Sequence, residues 1–121
     1  MAKIVVIDDS WLIRQTVTNM LTRAGHEVVV AENGRAGIDA CVAQKPECIL
    51  LDLLMPDLGG LEVLERLKNL GITTPVIVLT ADIQETTQAK CREAGAADFV
   101  QKPPNEELLV YRVSKAMAAR K

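Results

Sequence analysis

Cys48-Ile49-Leu50-Leu51-Asp52-Leu53-Leu54-Met55-Pro56-Asp57-Leu58-Gly59-Gly60 is an apolar run that ends on one carboxylate and then breaks into a loop punctuated by Pro and Gly. This is the pattern of a strand buried on both faces that delivers a charged group to the edge of a sheet. An Asp in that place either caps the turn or serves chemistry. The other strand ends discriminate between the two.

Upstream, Lys3-Ile4-Val5-Val6-Ile7 is a β-branched run that stops on Asp8-Asp9, which predicts a first buried strand. Ser10 reads as a helix N-cap, Ile13, Val17, Met20, Leu21 and Ala24 follow helical spacing, and Gly25 is the expected stop. His26 to Ala31 is the second strand. A second helix runs from Arg35 to Lys45 with Ile38, Cys41 and Val42 on its inner side, ended by Pro46.

Downstream of the opening stretch, Leu61, Leu64 and Leu67 line a third helix that runs out at Leu70-Gly71. Pro75 to Thr80 is a fourth buried strand that again ends on a polar side chain. The next helix, roughly Ile83 to Ala94, has only Ile83, Thr87, Cys91 and Ala94 for an inner face. Few buried methylenes give a low local opening cost, so it is expected to be the most mobile helix. Ala97 to Gln101 is the fifth strand and leads into Lys102-Pro103-Pro104. A last helix starts near Asn105 and packs Leu109, Val113, Ala116 and Met117, with Arg112, Lys115, Arg120 and Lys121 suiting the negative end of its dipole.

Five strand-helix pairs in strict alternation imply a parallel sheet covered on both faces, with right-handed crossovers, hence a three-layer α/β sandwich. At 121 residues the chain reads as one domain able to bury a core without disulfides or structural metal. No apolar run approaches the length of a membrane span, and the N-terminus enters a strand directly, which leaves no signal peptide. A cytoplasmic location is expected.

A net charge of -2 with no basic stripe argues against nucleic acid as a direct partner. Trp11, Phe99 and Tyr111 are the only aromatics, too few for a base-stacking platform. Cys41, Cys48 and Cys91 are odd in number and irregularly spaced, which fits reduced small hydrophobes. His26 reads as a turn or surface residue.

In parallel sheets of this kind, ligands bind beyond the carboxyl ends of the strands. Asp8 and Asp9, Asp52, Thr80 and Lys102 are the polar strand-end residues, so all five converge on one rim. Coincidental caps do not explain a Lys before a Pro-Pro pair. Clustered carboxylates repel, so at least one should have a raised pKa unless a cation relieves it. All-oxygen ligation suits a hard ion, Mg²⁺ (or Mn²⁺), better than zinc. Such an ion with open positions commonly takes phosphate oxygens, for which Thr80 and Lys102 are fitting donors. Asp52, alone at the centre of the rim, is the candidate nucleophile toward phosphorus; Asp8 and Asp9 are better suited to hold metal.

These residues resemble the receiver domain of bacterial two-component response regulators, with the single-domain chemotaxis regulator as a relative. The motifs are Asp8-Asp9-Ser10, Asp52 with Met55-Pro56 and Gly60, Thr80-Ala81, and Phe99 ahead of Lys102-Pro103. The resemblance spans the whole chain, 1–121, as one receiver domain. It implies a flavodoxin-like (βα)5 fold with strand order 2-1-3-4-5, an order that the chemotaxis regulator itself usually illustrates.

The resemblance also implies roles. Asp52 accepts phosphoryl from the phosphohistidine of a sensor histidine kinase or a phosphotransfer protein. Asp9 binds Mg²⁺ directly, Asp8 mostly through water, with Asp52 and the Leu54 backbone carbonyl completing the protein ligands. Thr80 and Lys102 bind the phosphoryl group, and Ala81 is small enough not to crowd it. The Lys102-Pro103 bond is cis. Phe99 is the switch aromatic: on phosphorylation Thr80 moves toward the phosphate and the ring turns inward, reshaping the face of the fourth helix, fifth strand and fifth helix for an output partner. This is a switch, not an enzyme with a turnover substrate.

Leu54 departs from the family in being apolar where many relatives carry a polar side chain, which implies slow self-dephosphorylation. Asp82 adds negative charge beside the pocket, and Trp11 is expected partly exposed near the metal. Two other readings stay open: a receiver that works as a phosphorylation-independent scaffold, and a flavodoxin-like FMN binder. The acidic loop after the first strand and the scarcity of rim aromatics oppose the FMN binder; the complete set of acidic pair, Asp, Thr and Lys opposes the scaffold.

Overall fold

A computed structural model describes residues 2–82 and 84–120. Its elements alternate as β1 (Lys3–Ile7), α1 (Trp11–Arg23), β2 (Glu27–Ala31), α2 (Gly34–Gln44), β3 (Cys48–Asp52), α3 (Gly60–Asn69), β4 (Val76–Thr80), α4 (Glu85–Glu93), β5 (Asp98–Gln101) and α5 (Glu106–Ala119). The strands form one parallel sheet in the order β2-β1-β3-β4-β5, as the alternation and the resemblance together imply.

Strand parity divides the core into two layers. Ile49, Leu51, Val76, Val78 and Phe99 face α2, α3 and α4. Ile4, Val6, Cys48, Leu50, Ile77, Leu79 and Val100 face α1 and α5. All five residues of β3 and of β4 are buried, which is why these runs are apolar up to their last residue, Asp52 and Thr80, instead of alternating. Truncating one of them, for example Leu50→Ala, removes roughly 2–5 kcal/mol.

Caps follow the side chains that the sequence offers. Ser10 accepts a hydrogen bond from the Ile13 N–H and Asn105 from the Leu108 N–H. Gly25, at φ +93°, takes the left-handed conformation just after α1.

Several inner faces differ from the helical spacing. In α2 the buried residues are Gly34, Gly37 and Cys41, whereas Val42 is 53% exposed. Gly37 faces Ile7 of β1 so closely that a Cβ would lie 2.5 Å from its Cδ1, Gly34 faces Leu58 and Val63, and the wider Val42 turns to solvent. It ends at Lys45, which adopts φ 48°, one residue before Pro46. In α3, Val63 joins Leu64 and Leu67 in the core and Leu61 lies at the surface. Arg112 does not serve the C-terminus of α5; its guanidinium pairs with Asp98 at 2.7 Å. Lys121 and Ile83 lie outside the described residues. Within α4 only Cys91 is buried, so the thin inner stripe read from the sequence is present.

Candidate functional site

Register and parity explain how the acidic groups meet. Ile7 of β1 pairs with Leu51 of β3, so the next residues, Asp8 and Asp52, are lateral neighbours. Strand spacing in a sheet is about 4.8 Å. Both continue the series that faces α1 and α5. The Asp8 N–H donates to the Ala31 carbonyl at 3.1 Å and fixes the residue against β2. Asp9, one step further, is exposed. One carboxylate oxygen from each of Asp8, Asp9 and Asp52 lies within 4.8 Å of the others.

Lys102 reaches this cluster from two strands away. Its backbone N–H extends the ladder by donating to the Thr80 carbonyl at 2.9 Å, and the Lys102-Pro103 bond is cis. The ammonium stands 2.9 Å from Asp8 Oδ2 and donates to Asp52 Oδ1 at 3.1 Å. Asp8 Oδ1 is engaged by the Ser10 N–H, and the Asp8 carbonyl accepts from Arg14 Nη1 at 2.8 Å. Asp8 Oδ2 is buried and paired with the Lys102 ammonium.

The charge balance has a measurable consequence. Burial, then the neighbouring Asp8 charge, raise the Asp52 pKa, and the Lys102 ammonium and the Leu54 N–H only partly oppose them. Burial would lower the Lys102 pKa, but Asp8 and Asp52 outweigh it and raise it. One ammonium shared between two carboxylates, with Asp9 alongside, leaves the rim net negative. That deficit and an all-oxygen donor set, one oxygen from each of Asp8, Asp9 and Asp52, fit a hard divalent cation.

Thr80 differs from the other four. Parity puts it with Val76 and Val78 on the side of α3 and α4. Its Oγ1 accepts from the Asp82 N–H at 3.0 Å and is not engaged with Lys102 or Asp52. Asp82 in turn accepts from the Gln84 N–H at 3.0 Å and the Thr87 hydroxyl at 2.9 Å. These bonds hold its carboxyl below the usual range and tie Thr80 to the first turn of α4. Ala81 is exposed. Leu54 is 81% exposed beside Asp52, and Trp11 is 67% exposed at the start of α1.

The Phe99 ring lies inward, 9% exposed within the core. The Arg92 guanidinium lies 4.9 Å above its centroid, a cation-π contact that holds it in.

Three residues at the site went unnoticed in the sequence. Arg14 lies one helical turn after the acidic pair. Arg92 is seven residues from the ring that it covers. Asp57, within the quoted loop, accepts from the N–H groups of Gly34 and Arg35, both at 3.1 Å. Only Asp57 had a signal, an Asp in a Pro-Gly loop, and that signal reads as a local turn.

Residues 4–114 match the family model of the response regulator receiver domain. Protein PilH of Pseudomonas aeruginosa is 36% identical over 120 residues, 98% of this chain and 99% of PilH. Response regulator MprA of Mycolicibacterium vanbaalenii is also 36% identical, over 92% of this chain but 48% of MprA, so the chain spans about half of that relative. Among solved structures, chemotaxis protein CheY4 of Vibrio cholerae superposes with a TM-score of 0.92 at 30% identity, covering 96% of this chain and 98% of CheY4. The Francisella response regulator 1452 receiver domain gives 0.94 at 27%, with 100% of both chains covered.

Proposed function

The chain belongs to the family of response regulator receiver domains of two-component signalling, and from that premise we propose that Asp52 is its phosphoacceptor. The observation that carries this is the Lys102 ammonium held jointly by Asp8 and Asp52, with Asp9 in the same carboxylate cluster. Residues 1–121 act as a single receiver unit.

Asp52 attacks phosphorus in line; the donor's P–N bond breaks and its electron pair leaves with the histidine imidazole. Lys102, already 3.1 Å from Asp52, follows the negative charge onto the phosphoryl oxygens. Thr80 accepts from the Asp82 N–H and so keeps its own proton available to donate to a phosphoryl oxygen. Ala81, small and exposed, leaves room for the group.

Asp8, Asp9, Asp52 and the Leu54 carbonyl are the residues that would hold Mg²⁺ or Mn²⁺. Bound there, the ion supplies neutralisation of the phosphoryl oxygens. Asp8, with its other acceptors engaged by Ser10 and Arg14, orients the pair; Asp9 is the open ligand.

Family members are signalling switches that exchange phosphoryl groups with histidine kinases and act on output partners. Here the donor is a sensor histidine kinase or a phosphotransfer protein, and the output face is α4, β5 and α5. Thr80 and Phe99 are the switch residues, and Asp82 and Thr87 link Thr80 to α4, so that switching is a population shift of a thinly packed helix. Among the described residues no helix is long and apolar enough to cross a membrane; a cytoplasmic location belongs to the same proposal.

The test is intact mass after incubation with acetyl phosphate. The wild type should gain one phosphoryl group with Mg²⁺ and none with a chelator; phosphoryl gain that ignores the chelator contradicts the reading.

A further inference from the structure

The loop between β3 and α3 carries Leu54, and it is anchored in two directions. Inward, Met55 and Leu58 are buried, and the Gly60 N–H closes the loop onto the Leu53 carbonyl at 2.9 Å. Gly60 has no room for a side chain: a Cβ there would lie 2.7 Å from the Asp52 carbonyl oxygen. Outward, the Asp57 carboxylate grips the start of α2 with both oxygens, accepting from the Gly34 and Arg35 N–H groups.

That grip is not an ordinary cap. The first four N–H groups of a helix lack partners within it. Asn33 serves the third helical N–H, its side chain accepting from Ala36 at 2.8 Å, and its carbonyl takes the first helical bond from Gly37 at 2.9 Å. The first two are served from 22 and 23 residues away by Asp57. The approach is close as well as bonded: a Cβ on Gly34 would lie 2.8 Å from both Leu58 Cβ and the Leu58 carbonyl oxygen. Desolvation raises the Asp57 pKa, but backbone N–H donors led by Gly34 and Arg35 outweigh it and hold the exposed carboxyl below its usual range. The start of α2 and the loop after Asp52 are therefore one tied unit.

We propose that Asp57 is a positioning residue: by fixing the loop to α2, it sets where the Leu54 carbonyl stands relative to Asp8, Asp9 and Asp52, and so sets the affinity for the divalent cation. Groups that orient a metal's ligands without touching it typically change affinity by about 10–100-fold when removed. The inference rests on the phosphoacceptor reading, which makes the Leu54 carbonyl a ligand.

Asn33 supplies the control, because it caps the same helix end without touching the loop. Mn²⁺ binding is measured by the EPR signal of the free ion for the wild type, Asp57→Ala, Asp57→Asn and Asn33→Ala, at a temperature where circular dichroism shows each variant folded. Asp57→Ala should weaken Mn²⁺ about tenfold while Asn33→Ala stays within about twofold, although both lower Tm. Asp57→Asn keeps one acceptor, should fall between, and stands in if the alanine variant does not fold. Equal Mn²⁺ affinity in the Asp57 and Asn33 variants overturns the inference. Mn²⁺ binding that survives Asp9→Asn unchanged would instead count against the parent reading.

Discussion

The Lys102 ammonium donates to Asp52 Oδ1 at 3.1 Å while standing 2.9 Å from Asp8 Oδ2. The lysine is thus the resident cation of a rim with three carboxylates, and it occupies the charge position that a divalent ion and then a phosphoryl group would contest. Removing one partner of a buried ion pair leaves the other uncompensated. This shared lysine is the source of the first two predictions.

Lys102→Gln deepens the negative charge at the rim. Mn²⁺ should bind several-fold tighter, while phosphorylation by acetyl phosphate should slow by at least about tenfold, the usual cost of one charge-stabilising donor. Titration of the metal and a time course of intact mass check the two arms separately. A loss of both would mean that Lys102 is structural.

The raised Asp52 pKa makes stability depend on pH in a definite sense. Below the ordinary carboxyl value of 3.8 the group is protonated folded or unfolded and costs nothing. As pH rises through the higher folded value, the folded state must hold a buried carboxylate and loses stability. In chelator, Asp52→Asn should therefore melt a few degrees above the wild type at neutral pH, and the gap should close under acid. Thermal melts from pH 3 to 7 check this; a gap that widens in acid contradicts it.

Leu54, 81% exposed next to Asp52, offers no polar group to orient an attacking water. Leu54→Asn should shorten the phosphoryl lifetime, read as loss of the phosphorylated mass after the donor is removed. An unchanged or longer lifetime refutes the role.

Asp82 joins Thr80 to Thr87, and α4 buries only Cys91. Thr87→Val removes one of the ties that hold the first turn. Hydrogen exchange should quicken across Glu85–Glu93 and stay unchanged in α3; uniform quickening would mean a global loss of stability instead. Arg92→Ala, which uncovers the ring, should cost about 0.5–1 kcal/mol.

Much of this was legible in the sequence because it depends on short-range patterns. Strand runs, the Ser10 cap, the start of the last helix near Asn105 and the acidic strand ends are local, and alternation alone dictated a parallel sheet. Features that depend on distance between layers were not. Val42 fits the helical stripe, yet α2 packs on β1 through Gly37 and leaves Val42 exposed. Asp57 reads as a turn residue because its donors, Gly34 and Arg35, are remote in sequence. Thr80 was placed with the carboxylates from its strand end alone, but parity turns its hydroxyl toward Asp82. The Phe99 motif carried a role; Arg92, which covers its ring, is marked by no motif.

The most direct measurement is to trap the acyl phosphate where it forms. After incubation with acetyl phosphate and Mg²⁺, borohydride reduction converts an aspartyl phosphate to homoserine, which peptide mass spectrometry locates. The expected result is homoserine at position 52 alone, absent with chelator. Conversion at Asp8 or Asp9, or none at any of the three, would contradict Asp52 as the acceptor.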